Sequence, residues 1–397
     1  MSSAKGISGL EFIALNAMLM ALVALAINMI LPAFSHMTGD FNLPDPNRIG
    51  LAVSLLYVGL AFGQILFGAW SDSVGRKLSL NIGLLVFLVG SMLSFYSSLF
   101  WVFIVGQVVQ GIGLGAPRVV TIAIVRDRYN GAEMAQTISF IMVIFSLVPT
   151  ISPFLGQCVI FLLGWRSLFA FFSVGALLAL FWLNSSLPET HLAASRKPVS
   201  FQLLASNFST VLKNRPAMFY AGALGVVSGA FIAYLNMSQQ LFEVQHGLGT
   251  RYPLFFALMS LSLALASFLN GRLVVKLGVE RLAVIGLVAM GLSSAVMATA
   301  TLVTGREGSL TELSIFLAAM LFCFGLLVSN LNALAMRSLG TVAGTGASVV
   351  GAVTTFVSVP LAILVGSFYS GSSAPLVLAF GGFSAIGYCL VKLAARL

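Results

Sequence analysis

Twelve stretches of this chain are each apolar for about 20 residues or more, the length that carries an α-helix across the hydrocarbon core of a bilayer. They run roughly over 12–34, 49–70, 79–98, 101–125, 134–161, 166–186, 215–241, 251–275, 281–303, 311–336, 342–369 and 373–394. In hydrocarbon every backbone polar group needs an internal partner, so runs of this length span as helices. The class that results is an all-α membrane protein with twelve transmembrane helices. Composition agrees, because 8% of the residues are charged, against roughly 25% in an ordinary soluble domain. The opening "MSSAKGISGLEF" lacks the charged n-region and small-residue cleavage site of a secretory signal, and reads as the lead into the first transmembrane helix.

Fifteen of the twenty Lys and Arg residues fall in segments on the same side as the N-terminus, while Arg48, Arg166, Arg251 and Arg306 fall on the other side. The positive-inside rule then predicts that both termini are cytoplasmic. The net charge of +9 is accounted for by anchoring beside anionic headgroups, so no nucleic-acid partner is expected. Cys158, Cys323 and Cys389 lie in predicted helices with no CxxC pair and no nearby histidine. They read as small buried hydrophobes, with no disulfide, metal or cofactor expected.

One wide polar break, Leu187 to Asn214, separates six spans from six. It divides the chain into a bundle at 1–187, a cytoplasmic linker at 188–214 containing a short amphipathic segment, and a bundle at 215–397. "GAWSDSVGRKLSL" follows the second span and "GRLVVKLGVERLAV" the eighth, and Gly68 and Gly75 superpose on Gly271 and Gly278 at a common offset of 203. Two pseudo-symmetric six-helix repeats are implied, with a small-molecule substrate expected between them near the bilayer midplane.

With these features the chain resembles the major facilitator superfamily of transporters over essentially its whole length. The "GAWSDSVGRK" loop matches that superfamily's signature between helices two and three. "NMILPAF", "VVQGIGLGA", "LPET" and "GTVAGTGASVVGAVT" are similar to segments of the Bcr/CflA-type group of bacterial drug:proton antiporters. The resemblance implies a monomer in a bacterial cytoplasmic (inner) membrane, working by alternating access.

In the signature loop, Gly68 and Gly75 permit close approach and a tight turn, and Asp72, Arg76 and Lys77 sit where helix ends and opposite charges pair. The family uses this cluster as a latch between the halves. By resemblance Asp127 joins it and Asp72 faces the start of helix eleven; the alternative is a solvated loop that only sets topology. Helix five carries "VPTISPFLGQ", a degenerate form of the antiporter motif, in which Pro149, Pro153 and Gly156 remain as helix-bending elements.

All eleven Asp and Glu residues fall in loops or at helix ends. Exporters of the resembled group commonly carry an acid in helix one just before the "ILP" turn, and here Asn28 stands there. An amide cannot exchange a proton near neutral pH. In helix four Gln107 occupies the family's arginine position, and an arginine appears eleven residues later as Arg118. Eleven residues is about three turns, so Gln107, Gly111 and Arg118 project from nearly one face. Helices one, four, seven and ten line the cavity in the family, which implies Asn28, Gln107, Arg118, Asn236, Gln240, Asn330 and Asn332 as lining residues, with Tyr57 and Tyr234 adding aromatic contact. For each amide the alternative is helix-to-helix hydrogen bonding. For Arg118 it is snorkelling to the inner headgroups.

A buried guanidinium without a carboxylate is suited to an anionic substrate, because its planar fork matches carboxylate or phosphate oxygens. The sequence reading is therefore a proton-coupled exporter of small amphiphilic molecules, favouring an anionic one such as a carboxylate siderophore or anionic drug. The alternatives are broad multidrug:proton antiport and a non-transporting receptor on the same fold. No nucleophile, base and acid constellation appears and the loops are short, so an enzyme is not expected.

Overall fold

The computed structural model describes residues 7–129, 131–191, 209–339 and 343–397. Among them twelve helical segments are long and apolar enough to cross a membrane. The first bundle contains α1 (Gly9–Asn28), α2 (Leu51–Val74), α3 (Arg76–Tyr96), α4 (Phe100–Arg128), α5 (Gly131–Leu163) and α6 (Ser167–Ser186). The second contains α7 (Arg215–Gln239), α8 (Tyr252–Leu277), α9 (Val279–Thr304), α10 (Leu310–Met336), α11 (Ala343–Ser367) and α12 (Ala374–Ala394). We call the end where α1 begins the near end and the opposite one the far end. The linker's central residues, 192–208, and with them most of the expected amphipathic segment, lie outside the described residues.

The spans begun by α1 and α7 each continue past a break in α geometry. α1 stops at Asn28, a 3₁₀ turn over Leu31–Ala33 accommodates Pro32, and a short helix, Phe34–Asp40, carries the chain on. Proline has no N–H to continue the α ladder, which is why the break falls there. α7 continues past Gln239 as a π-helix over Gln240–Gln245.

The packing repeats as the sequence does. In the first bundle α2 and α3 both pack on α4, α1 on α5 and α3 on α6; in the second α8 and α9 pack on α10, α7 on α11 and α9 on α12. Across the bundles α2 packs on α11 and α5 on α8, which are images of one another under the same repeat. Gly75 (φ 106°) and Gly278 (φ 79°) make the equivalent turns between α2 and α3 and between α8 and α9. Both φ values lie where a Cβ is strained, so the superposed glycines mark one repeated backbone requirement.

Glycines also decide how α4 is held. A Cβ on Gly111 would lie 2.1 Å from the Leu56 carbonyl oxygen of α2, and one on Gly59 2.1 Å from the Val108 carbonyl oxygen of α4. On another face, a Cβ on Gly113 would lie 2.3 Å from the Phe87 nitrogen, and one on Gly106 2.4 Å from Ser94 Oγ, both on α3. The glycine-rich run in α4 thus brings two neighbouring backbones close at once, the small-residue packing that holds helices together where lipid supplies no hydrophobic drive. Gly111→Val is expected to destabilise by more than the ~1 to 3 kcal/mol of ordinary overpacking, because the obstructing atom is backbone. Loss of the monodisperse peak in detergent size-exclusion would report it.

Candidate functional site

At the near end, the loop between α2 and α3 is built around Arg76, whose side chain is only 8% exposed. Its Nε donates to Asp127 Oδ2 at 2.9 Å and its Nη1 to Ser71 Oγ at 2.8 Å, with Asp72 as a second ionic partner. Glu189, from the "LPET" segment, receives the Arg76 backbone N–H at 2.9 Å and that of Lys77 at 3.2 Å. It thereby caps α3, whose own N-cap is Gly75, a residue with no side chain to do so. The Lys77 ammonium donates to the Leu187 carbonyl at 2.9 Å and the Asn184 carbonyl at 3.1 Å. None of these contacts reaches the second bundle: all lie within the first bundle or reach the start of the linker at Glu189. Asp72 is 61% exposed, and residues 340–342, at the expected start of helix eleven, lie outside the described residues. Gly68, a signature position that lies in the last part of α2, meets the other bundle, since a Cβ there would lie 2.6 Å from Ser348 Oγ on α11.

Arg118 sits on α4 ten residues before its near-end terminus, Arg128, about 15 Å along the axis. Its guanidinium carbon is 4.7 Å from the ring centre of Phe145, which lies fourteen residues into α5 from the near end, about 21 Å. The side chain therefore reaches away from the near-end headgroups, against the snorkelling alternative. Nη1 is enclosed without a hydrogen-bond partner, and among the described residues no carboxylate pairs with it. Tyr57 on α2 is within electrostatic reach of it. Pro149 has no N–H for the Phe145 carbonyl, so that oxygen lacks its helical donor beside the arginine's ring contact.

The other expected lining residues do not converge on Arg118. Gln107 is fully buried and its amide donates to Ser94 Oγ on α3 at 3.2 Å. Asn330 donates to Asn270 Oδ1 on α8 at 2.6 Å and to the Leu326 carbonyl at 2.7 Å, whereas Asn332 is exposed. Gln107 and Asn330 are thus both engaged in helix-to-helix bonding, because a buried amide in an apolar bundle takes the nearest polar partner. Asn28 donates to the Ala24 carbonyl at 2.8 Å and is 5% exposed. Tyr234 is 1% exposed and stacks on Phe256 with ring centres 5.9 Å apart.

Asn236 and Gln240 lie toward the far end, where with Asp45, Asn47 and Arg48 they line a cavity of about 230 Å³ between the bundles. Asn236 bonds Ser54 Oγ of α2 at 2.9 Å, and Asn47 bonds the Tyr369 carbonyl at 3.0 Å, each joining the two bundles. A third link there joins Ser35 to Gln239 and Glu243. Sequence reasoning passed over Ser35 and Glu243 because it treated both as lying beyond the apolar runs; the proline turn after α1 and the π-helix after α7 carry them into the interface.

Pro149 and Pro153 lie inside the uninterrupted α5. A Cβ on Gly156 would lie 2.2 Å from the Met29 carbonyl oxygen, so that glycine serves close approach to the end of α1.

Two repeated six-helix bundles, meeting along α2 with α11 and α5 with α8 and bearing a charged turn at one end, define a membrane transporter. The chain belongs to the Major Facilitator Superfamily, whose profile matches residues 17–364; it is a transporter of small molecules and not an enzyme. It is 27% identical over 372 residues to the Bicyclomycin resistance protein homolog of Haemophilus influenzae, covering 93% of this chain and 92% of that one. It is 30% identical over 264 residues to the Chloramphenicol resistance protein of Pseudomonas aeruginosa, covering 65% and 60%. Its fold is shared with the human organic anion transporter MFSD10 (TM-score 0.71, 20% identity, covering 97% and 99%). The xylose transporter XylE from E. coli, in a partially occluded inward open conformation, is similar too (TM-score 0.72, 13% identity, covering 98% and 97%).

Proposed function

We propose that this chain exports small amphiphilic molecules across a bacterial inner membrane by alternating access in exchange for protons, favouring substrates with an anionic group, such as a carboxylate siderophore or anionic drug. Arg118 carries the reading: a guanidinium at depth, with an enclosed Nη1 and, among the described residues, no carboxylate partner, is stabilised by a substrate that brings negative charge. The aromatic face of Phe145 supports the cation but does not supply a hydrogen-bond acceptor. Relatives named for bicyclomycin and chloramphenicol resistance support export of drug-sized molecules. With the near end cytoplasmic, as the charge distribution favours, the bonds near the far end hold the two bundles together on the outer side. We take the bundles as 1–187 and 215–397, acting as a monomer.

Flux into inverted proteoliposomes under an imposed pH gradient tests this directly, with anionic and cationic probes compared in a ligand-stabilisation screen. Binding without time-dependent flux would make the protein a receptor. Stabilisation by cations alone would favour broad multidrug export, a reading supported by the stacked Phe231 and Phe324 rings, 4.3 Å apart, and the Tyr234–Phe256 stack.

Asn28 stands where the resembled exporters carry an acid. Asn28→Asp is expected to add a titratable group there, widening the substrate range toward cations and steepening the response to a pH gradient. A wild type that moves substrate with no response to the gradient would remove proton antiport from the reading.

A further inference from the structure

The two ends of the molecule are held by different chemistry. Near-end ionic contacts of Arg76 are confined to the first bundle, but near the far end a carboxylate crosses from one bundle to the other. Ser35, on the short helix after α1, donates its hydroxyl to Glu243 Oε1 at 3.3 Å. The Gln239 amide donates to both Ser35 Oγ and Glu243 Oε2. Most other acids with described partners are matched within their own bundle: Asp127 and Asp72 by Arg76, Asp40 by Arg166, and Glu312 by Arg306. Glu307 receives Ser372 and Ser373 at the start of α12. Among the described residues Glu243 has no basic partner, and its charge is held by neutral donors, one of them from the opposite bundle.

The backbone beneath it is unusual as well. The chain leaves α geometry at Gln240 and runs as a π-helix to Gln245, a rare form that occurs mostly as single turns within α-helices and frequently at functional sites. Gln239 and Glu243 are its last α position and a residue in its first turn, one turn apart on the side that meets Ser35.

We infer that Ser35, Gln239 and Glu243 form the latch that keeps the far end closed, with the Glu243 carboxylate as its central element. Separating the bundles there takes the Ser35 donor from an ionised group, and hydrogen bonds to charged groups are about twice as strong as neutral ones. Closure in turn restores the full set of donors only when both bundles are in register. The inference rests on the alternating-access reading, since it requires that the far end open during the cycle.

The test is solvent access to a buried position behind the latch, measured on the full chain in nanodiscs. Leu31 is fully buried one turn deeper than Ser35. Leu31→Cys is introduced after Cys158, Cys323 and Cys389 are replaced by serine, and its reaction with a membrane-impermeant maleimide is timed. Glu243→Gln is expected to speed labelling by about tenfold, the worth of one charge-assisted bond. Ser35→Ala is expected to do the same to a similar or smaller extent, and Glu243→Asp less than Glu243→Gln. Unchanged labelling in Glu243→Gln and Ser35→Ala would overturn the latch. So would an equal acceleration at Leu287→Cys, a control in the second bundle's interior where the wild-type residue is 1% exposed, because that would be general loosening. The labelling needs no transport, so a wild type without flux would sink the functional reading while leaving the latch measurable.

Discussion

Arg118→Ala is expected to weaken binding of an anionic substrate by roughly tenfold to over a hundredfold, the loss of one charge-assisted contact worth ~1.5 to 3 kcal/mol. The motivation is the enclosed Nη1 without a partner, at a depth where an ionised side chain is costly unless something compensates it. Arg118→Lys should rescue only in part, since the ammonium keeps the charge but loses the planar fork that meets two oxygens. A neutral analogue should bind the wild type poorly and be nearly indifferent to either change. Titrations of both ligands against the three proteins in nanodiscs decide the matter. Equal losses for the two ligands would reduce Arg118 to a support of the fold through Phe145.

The second large effect is expected at Arg76, where two substitutions should separate stability from transport. Arg76→Ala removes a side chain that is 8% exposed and leaves Asp127, itself 20% exposed, without its 2.9 Å partner. Breaking such a pair by removing one member costs about 3 kcal/mol or more, visible as a fall of the thermal midpoint in detergent. Asp72→Asn should cost less than about 1 kcal/mol, because Asp72 is 61% exposed and water screens its contact. Its expected effect is instead on flux, which should be strongly slowed at unchanged expression if Asp72 serves the near-end latch that the signature loop implies. Wild-type flux in Asp72→Asn would leave the loop as a topology anchor.

Much of this architecture was legible in the residue order. Apolar length fixed the number of spans, since a bilayer admits few alternatives to a helix of that length. The glycine pairs at an offset of 203 announced the repeat, and the turns at Gly75 and Gly278 share the same positive-φ geometry. That no carboxylate lies deep in a span was likewise a matter of counting, and it left Arg118 without a partner before any contact was known.

Which polar groups meet was not legible, because helical periodicity gives a residue's face but not its neighbour or the reach of its side chain. Gln107 and Arg118 do lie on related faces of α4, yet the amide bends to Ser94 on α3 while the longer guanidinium reaches Phe145 on α5. Asn330 in the same way is taken up by Asn270. The contacts across the two bundles depend on long-range docking. Ser35 and Glu243 are 208 residues apart and meet only because a proline turn extends one span and a π-helix another. The sequence by itself determined the membrane class, the twelve spans, the repeat and the lone cation deep in a span, all set by local apolarity and spacing. The tertiary structure alone decided which amides serve packing, what surrounds Arg118 and which end the cross-bundle carboxylate holds, because hydrogen bonds in a low-dielectric interior are fixed by whichever partner the packing brings within 3 Å or so.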